Sequence, residues 1–299
     1  VKPDILSGDN AWFNEKTNEK EDINKKTFCM VPPKSKSTIC VPTYLLGNAN
    51  EKDDYSKSSF LIEDCCQALG TEINGKKVGN FGDLSIFSFQ ETKHITTLGE
   101  GGIIITNNEE FADKCRKIRN HGEYYRDDDV PGFNFRLTDA QAAFGLVQLR
   151  RLPKILNSFR KNAYYIMENL PEFISPPSIS KNIEHSFLIL GCKFNEKIAR
   201  VSRENFLERL TKNRKKFLKN EQKSDIKGLN FRPGKIVSSG YKSTQYEIHL
   251  YRKYRPKIKC SVAEDFVRSS FFLDIHRWRT RSEIDEELKI LSMTNHQIK

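Results

Sequence analysis

The densest concentration of reactive side chains lies between residues 60 and 105. Lys93 follows a strand-like run, Leu84-Ser85-Ile86-Phe87-Ser88-Phe89, and precedes a glycine turn, Gly99-Glu100-Gly101-Gly102, and a second apolar run, Ile103-Ile104-Ile105. Its amine is therefore expected on an irregular loop beside a sheet. Upstream, Phe60-Leu61-Ile62 runs into Glu63-Asp64-Cys65-Cys66-Gln67-Ala68. A carboxylate, Asp64, and an amide, Gln67, thus leave a strand end together. Pyridoxal-phosphate chemistry needs a lysine to hold the aldehyde and shuttle a proton, and an acid to keep the pyridine nitrogen protonated so that the ring acts as an electron sink. Each residue alone has a plainer reading. A lysine after a strand is usually a solvated charge, and an aspartate there is usually a turn or helix cap.

Their co-occurrence carries more. Ile62 to Gly70, Gly75 to Asp83, Ser88 to Lys93, Gly99 to Gly102, Arg119-Asn120-His121-Gly122, Gly132-Phe133-Asn134-Phe135-Arg136 and Asp139-Ala140-Gln141-Ala142-Ala143 follow one another across residues 60 to 150. In content, order and spacing they resemble the DegT/StrS family of sugar aminotransferases. The resemblance implies an α/β fold of the aspartate-aminotransferase type (fold type I), with a large domain over residues 1–155, short at its front relative to the family, and a smaller α/β C-terminal domain over 156–299.

It also implies roles. Lys93 would be the Schiff-base lysine for pyridoxal 5'-phosphate, and Asp64 the partner of its protonated pyridine nitrogen, because an adjacent carboxylate raises the pKa of such a cation. Gln67 would hydrogen-bond the ring's phenolic oxygen, and Ser88 the phosphate. Asn134 would reach the phosphate of a neighbouring subunit, since two protomers share each site in this family. The implied reaction moves an amino group, usually from glutamate, to a keto group of a nucleotide-diphosphate sugar. Two alternatives stand beside it: a related sugar dehydratase, in which the family replaces the lysine by histidine (His94 is adjacent), and a non-catalytic paralogue or fragment of the same fold.

Two departures from the family are visible. Residues 1 to 37 contain no Ser-Gly-Thr turn, whose backbone amides would bind the phosphate at a helix N-terminus; the family stretch that carries this turn also supplies the aromatic that stacks on the ring, and the residues here are not expected to replace it. Weak cofactor binding and uncovered apolar faces at Ile86, Phe87 and Ile103 to Ile105 are the expected consequences. In His185-Ser186-Phe187-Leu188 the family usually has histidine at the position of Leu188, so substrate contacts in the second domain are expected to differ.

Composition sets outer bounds. The 299 residues carry seven cysteines without metal spacing, an odd number that fits reduced thiols in a cytosol. No apolar run approaches the roughly 18 residues that span a membrane, and the opening Val-Lys-Pro-Asp has no leader character, so a cytoplasmic location is expected. The net charge of +11 raises nucleic-acid binding. The basic runs Lys212-Asn213-Arg214-Lys215-Lys216 and Tyr251 to Lys257 match no nucleic-acid-binding pattern, and a basic field equally suits an anionic nucleotide sugar.

Periodicity suggests strands over Thr38 to Tyr44 and Phe187 to Phe194, and helices over Phe111 to Ile118, Asp139 to Leu149, Leu152 to Leu170 with Pro153 in its first turn, Ser202 to Leu210 and Ser282 to Leu291. Lys16 to Lys26 reads as a short exposed helix or disorder.

Overall fold

The computed structural model describes residues 12–14, 19–21, 37–49, 58–122, 131–218, 237–238, 261–276 and 279–296. A two-stranded ribbon comes first: β1 (Trp12–Asn14) pairs antiparallel with β2 (Glu19–Glu21), Phe13 opposite Lys20. Within Lys16 to Lys26, expected as a short helix or disorder, Glu19–Glu21 is strand, held by backbone pairing with Trp12–Asn14, and the rest of that segment lies outside the described residues.

The sheet that carries the reactive residues contains β3 (Ser37–Cys40), β4 (Ser58–Asp64), β7 (Leu84–Ser88) and β8 (Gly102–Ile105), in that order. The first three are parallel, and β8 returns antiparallel, with Phe87 opposite Ile103. Between β4 and β7 lie two short strands, β5 (Glu72–Ile73) and β6 (Lys76–Lys77), which pair with each other. β3 stops at Cys40 rather than continuing to Tyr44, since Pro42 lacks the N–H a ladder needs. Its chain instead enters a 3-10 turn at Leu45–Gly47.

Helix α1 (Glu109–Arg119) begins where the Asn108 side chain accepts from Phe111 N–H at 3.1 Å, with acids in its first turn and Arg116, Lys117 and Arg119 in its last, the arrangement the helix dipole favours. The two helices expected over 139–170 are a single one, α2 (Asp139–Glu168), opened by a reciprocal cap between Thr138 and Gln141. It runs through Pro153. The lost backbone hydrogen bond is offset by an apolar stripe that continues past it, burying Ile155, Leu156, Phe159, Ala163 and Ile166. The boundary expected at residue 155 therefore falls inside a continuous helix.

The remaining elements are β9 (Ile174–Ser175), β10 (Ile183–Glu184), β11 (Leu190–Phe194), α3 (Glu196–Ala199), α4 (Arg203–Leu218), β12 (Val237–Ser238), α5 (Ser261–Ser269), β13 (Ser270–Leu273) and α6 (Arg281–His296). A second sheet has the order β12-β13-β11-β9, antiparallel throughout. It packs with α2, α4 and α6 around a core built on Phe159, Phe187, Phe194, Phe206 and Phe271. Ile95, from the loop after Lys93, is buried in that same core. β10 crosses to pair with β5, joining the two halves of the chain through a small third sheet.

Of the apolar faces expected to be uncovered, Ile103 and Ile104 are about half exposed, while Ile86, Phe87 and Ile105 are partly covered. The first half of α2 adds exposed Leu146, Val147 and Leu149. No helix among the described residues is long and apolar enough to cross a membrane, and no disulfide or cluster of metal-ligating side chains is found there. The second basic run, Tyr251 to Lys257, lies outside the described residues.

Candidate active site

The C-terminal ends of β4 and β7 form one edge of the parallel part of the sheet, the edge at which α/β folds commonly bind ligands. Asp64 closes β4 and is in register with Ile86; Ser88 closes β7 two residues further along. Gln67 sits in the turn that leaves β4, and Lys93 in the loop that leaves β7. All four are half-buried. No hydrogen bond or ion pair among the described residues joins these side chains to one another. What they share is an edge.

Among the described residues, each of the four keeps a functional group uncommitted. Asp64 Oδ1 accepts from Cys66 N–H at 3.0 Å, and no described ion pair reaches Oδ2. Gln67 Oε1 accepts from Leu46 N–H at 2.8 Å, which orients the side chain and leaves the amide NH2 as its donor. Ser88 Oγ accepts from Gln90 N–H at 3.3 Å, so its own proton is available. The Lys93 amine makes no described ion pair. One carboxylate oxygen, one amide donor, one hydroxyl donor and one amine are the complements of a pyridinium, a phenolate, a phosphate and an aldehyde. The residues present therefore fit pyridoxal 5'-phosphate.

Asn134 stands elsewhere. It is exposed, forms a bridge with Asn120, and its Oδ1 accepts from Arg136 Nε at 3.0 Å while Arg136 Nη1 donates to Asn120 Oδ1 at 2.9 Å. No described contact joins it to the other four.

Beneath the edge lie groups to which the sequence alone gave no role. Glu63, next to Asp64 but pointing to the opposite face, is fully buried. Its Oε1 accepts from Phe81 and Gly82 N–H at 2.7 Å each, and its Oε2 from Gly79 N–H at 2.8 Å and Tyr44 O–H at 3.1 Å. This carboxylate folds the Gly79 to Gly82 turn against β4. A side chain at Gly79 would collide with the Phe87 ring at 2.5 Å. The signal was present, since a carboxylate inside an apolar strand must find donors.

A second buried group joins the sheet edge to residues 185–188. Thr71 Oγ1 donates to Gly47 O at 2.7 Å and lies 2.9 Å from Ser186 Oγ; Leu188 N–H donates to Leu46 O at 3.0 Å. A Cβ on Gly47 would fall 2.5 Å from Ser186 Oγ, so only glycine permits this approach. The expected strand over 187–194 starts only at Leu190 because the residues before it are engaged here. Arg160 clamps the far side, donating to His185 O at 2.9 Å and Gly70 O at 3.0 Å and pairing with Glu184 at 2.5 Å.

Two imidazoles are enclosed in this seam. Burial pushes His94 down to about 4, and burial together with the positive charges nearby pushes His185 down to about 3, so both are neutral at ordinary pH. His185 Nδ1 accepts from Phe187 N–H at 2.8 Å, and the two rings stack at 3.9 Å. Burial likewise holds the Cys65 thiol above its ordinary value, so it is not a nucleophile.

The DegT/DnrJ/EryC1/StrS aminotransferase family matches residues 22–218. The chain belongs to this family. It is 40% identical over 146 residues to a GDP-perosamine synthase from Vibrio cholerae, covering 47% of this chain and 38% of that protein. It is 31% identical over 252 residues to a UDP-4-amino-4,6-dideoxy-N-acetyl-beta-L-altrosamine transaminase from Campylobacter jejuni, covering 77% and 58%. The chain spans about half the length of the curated relatives it matches. The structure of an aminotransferase from Psychrobacter cryohalolentis superimposes with a TM-score of 0.74 at 22% identity, over 93% of this chain and 75% of that one. The likeness places the chain in the α/β fold type I class of its family.

Proposed function

We propose that this family member is a pyridoxal-phosphate-dependent aminotransferase that moves an amino group, from glutamate, to a keto group of a nucleotide-linked sugar. The observation that carries this reading is the set of four uncommitted groups on one sheet edge, Asp64 Oδ2, the Gln67 amide, the Ser88 hydroxyl and the Lys93 amine. Relatives named for GDP- and UDP-linked sugars support the substrate class and leave the base open.

Each residue has one task. Asp64 holds a proton on the ring nitrogen by supplying a countercharge. Gln67 donates to the phenolic oxygen, and Ser88 to the phosphate, as charge-assisted hydrogen bonds. Lys93 would hold the cofactor by its aldehyde, and its amine, when free, would move a proton between the substrate carbon and the cofactor's aldehyde carbon. The bound cofactor supplies the electron sink that makes that carbon acidic. Asn134 serves the phosphate of a second copy of the chain in a cytoplasmic homodimer, and residues 156–299 act as a smaller domain over the site. Lysine at position 93 favours transamination over dehydration, for which the family resemblance implies histidine at that position.

Trapping tests the reading. The protein is incubated with pyridoxal phosphate, reduced with borohydride and mapped by peptide mass. Label on Lys93, absent in Lys93→Ala, is the expected result; label on another lysine, or none, would overturn it.

A further inference from the structure

The loop bearing Lys93 is fastened from both sides. On the N-terminal side, Lys93 N–H donates to Gln90 O at 3.0 Å, and Gln90 Oε1 accepts from Thr92 N–H at 2.8 Å. On the C-terminal side the next residue, His94, is only 5% exposed. Its Nε2 lies 3.1 Å from Ser186 O, and a carbonyl can only accept, so that nitrogen carries the proton. The ring stands edge-on to Phe159 of α2 at 5.0 Å. Ser186 is in turn locked to Thr71 and Gly47, and the adjoining Leu46 fixes Gln67 through its N–H.

One continuous series of contacts therefore runs from Lys93 through His94, Ser186 and residues 46–47 to Gln67. Its ends are the two side chains assigned to the cofactor's aldehyde and phenolic oxygen, which are substituents of adjacent ring carbons. Backbone strain collects along the same series. Leu46 has φ of 60° and Phe187 φ of 54°, a left-handed conformation that bulky residues adopt only when their surroundings enforce it.

Resting on the proposed function, we infer that His94 is a positioning residue for Lys93. Its ring N–H straps the lysine's loop to the Ser186 carbonyl and so sets the amine in register with Gln67. Packing alone would ask only for a side chain of similar volume against Phe159. Positioning through the hydrogen bond asks for a donor at that distance.

Two substitutions separate these requirements. His94→Leu fills the space without a donor; His94→Gln offers an amide N–H to Ser186. The full chain is reacted with pyridoxal phosphate below saturation, and borohydride trapping at Lys93 is followed over time. Amide hydrogen exchange across residues 90–98 is measured without cofactor, and thermal melting is recorded for each variant. In His94→Leu we expect trapping at Lys93 to slow about tenfold, the scale on which a misplaced reacting group loses rate. Exchange at 90–98 should quicken while the melting point moves by only a few degrees. His94→Gln should return both readouts to within about threefold of the original. If His94→Leu fails to fold, His94→Asn, a donor one methylene shorter, takes its place beside His94→Gln with the same expectation. Unchanged exchange and trapping in the donor-less variant would overturn the inference, as would equal losses in both variants. Absence of label on Lys93 in the original chain would overturn the proposed function instead, and the exchange measurement would still judge the strap.

Discussion

Glu63 and Asp64 are consecutive acids on one strand, and they live in opposite circumstances. Glu63 faces inward, fully buried, with four donors on its two oxygens and Ser85 Oγ 3.2 Å away as a fifth. Asp64 faces the half-open edge with one backbone donor on one oxygen. The first carboxylate is spent on holding the protein's shape; the second keeps an oxygen that the proposed function assigns to the cofactor's ring nitrogen. Alternation along the strand separates the two roles by one residue, so chemical similarity at adjacent positions says little about function.

The sharpest way to break this contrast is to remove the saturated acid. Glu63→Ala removes the acceptor of the Gly79, Phe81 and Gly82 N–H groups, at about 1–3 kcal/mol for each buried group left unpaired, and a loss on the order of 5 kcal/mol is expected in denaturant unfolding. Acidification comes next. Unfolded, the His94 imidazole titrates near its ordinary 6.5; folded, near 4. Between those values the unfolded chain binds a proton that the folded chain refuses. Stability is therefore full above pH 6.5 and declines as pH falls toward 4, by about 3 kcal/mol for His94. His185, pushed down to about 3, extends the decline to lower pH. A melting temperature flat from pH 7 to 4 would contradict the enclosed seam.

Smaller in free energy, but more telling for function, is Asp64→Asn. Transamination should fall by about a hundredfold or more, roughly 3 kcal/mol of transition-state stabilisation, while unfolding changes by less than about 1 kcal/mol. Turnover near normal would remove Asp64 from the site and erase the contrast with Glu63. Ser88→Ala should weaken cofactor affinity by about tenfold with folding intact, because a single charge-assisted hydrogen bond is at stake. Titration by absorbance would measure it.

What the sequence made legible was whatever depends on short-range pattern. Motif spacing and the family resemblance single out Lys93, Asp64, Gln67 and Ser88, and the structure sets them along one sheet edge without testing their roles. The strands from Phe60 and Leu84 and the capped start of α1 follow from alternation and from Asn108. What stayed hidden depends on partners distant in the chain. His94 looked like a possible replacement for the lysine, and only its contact with Ser186 and Phe159 shows a fixed, neutral ring. Glu63 appeared as the neighbour of an important acid, because its donors come from a turn whose conformation it helps to create. Pro153 suggested a helix start, yet apolar positions on both sides keep α2 continuous. Asn134 is exposed beside Arg136, and that setting gives no local reason for the role the resemblance implies.

The seam has a consequence for how the protein is made. β4, β7 and β8 can pair once residue 105 has been synthesised, since their contacts are close in sequence. The His94–Ser186 contact spans 92 residues, and Ser186 lies 139 residues from Gly47. At about 5–20 residues per second, translation needs on the order of ten seconds to travel from β8 to Ser186. Throughout that interval the nascent sheet presents the Lys93 amine on a loop fastened at one end only. On the proposed function, capture of the aldehyde in productive register would thus be a late event in biogenesis, timed by the arrival of a serine from the far half of the chain.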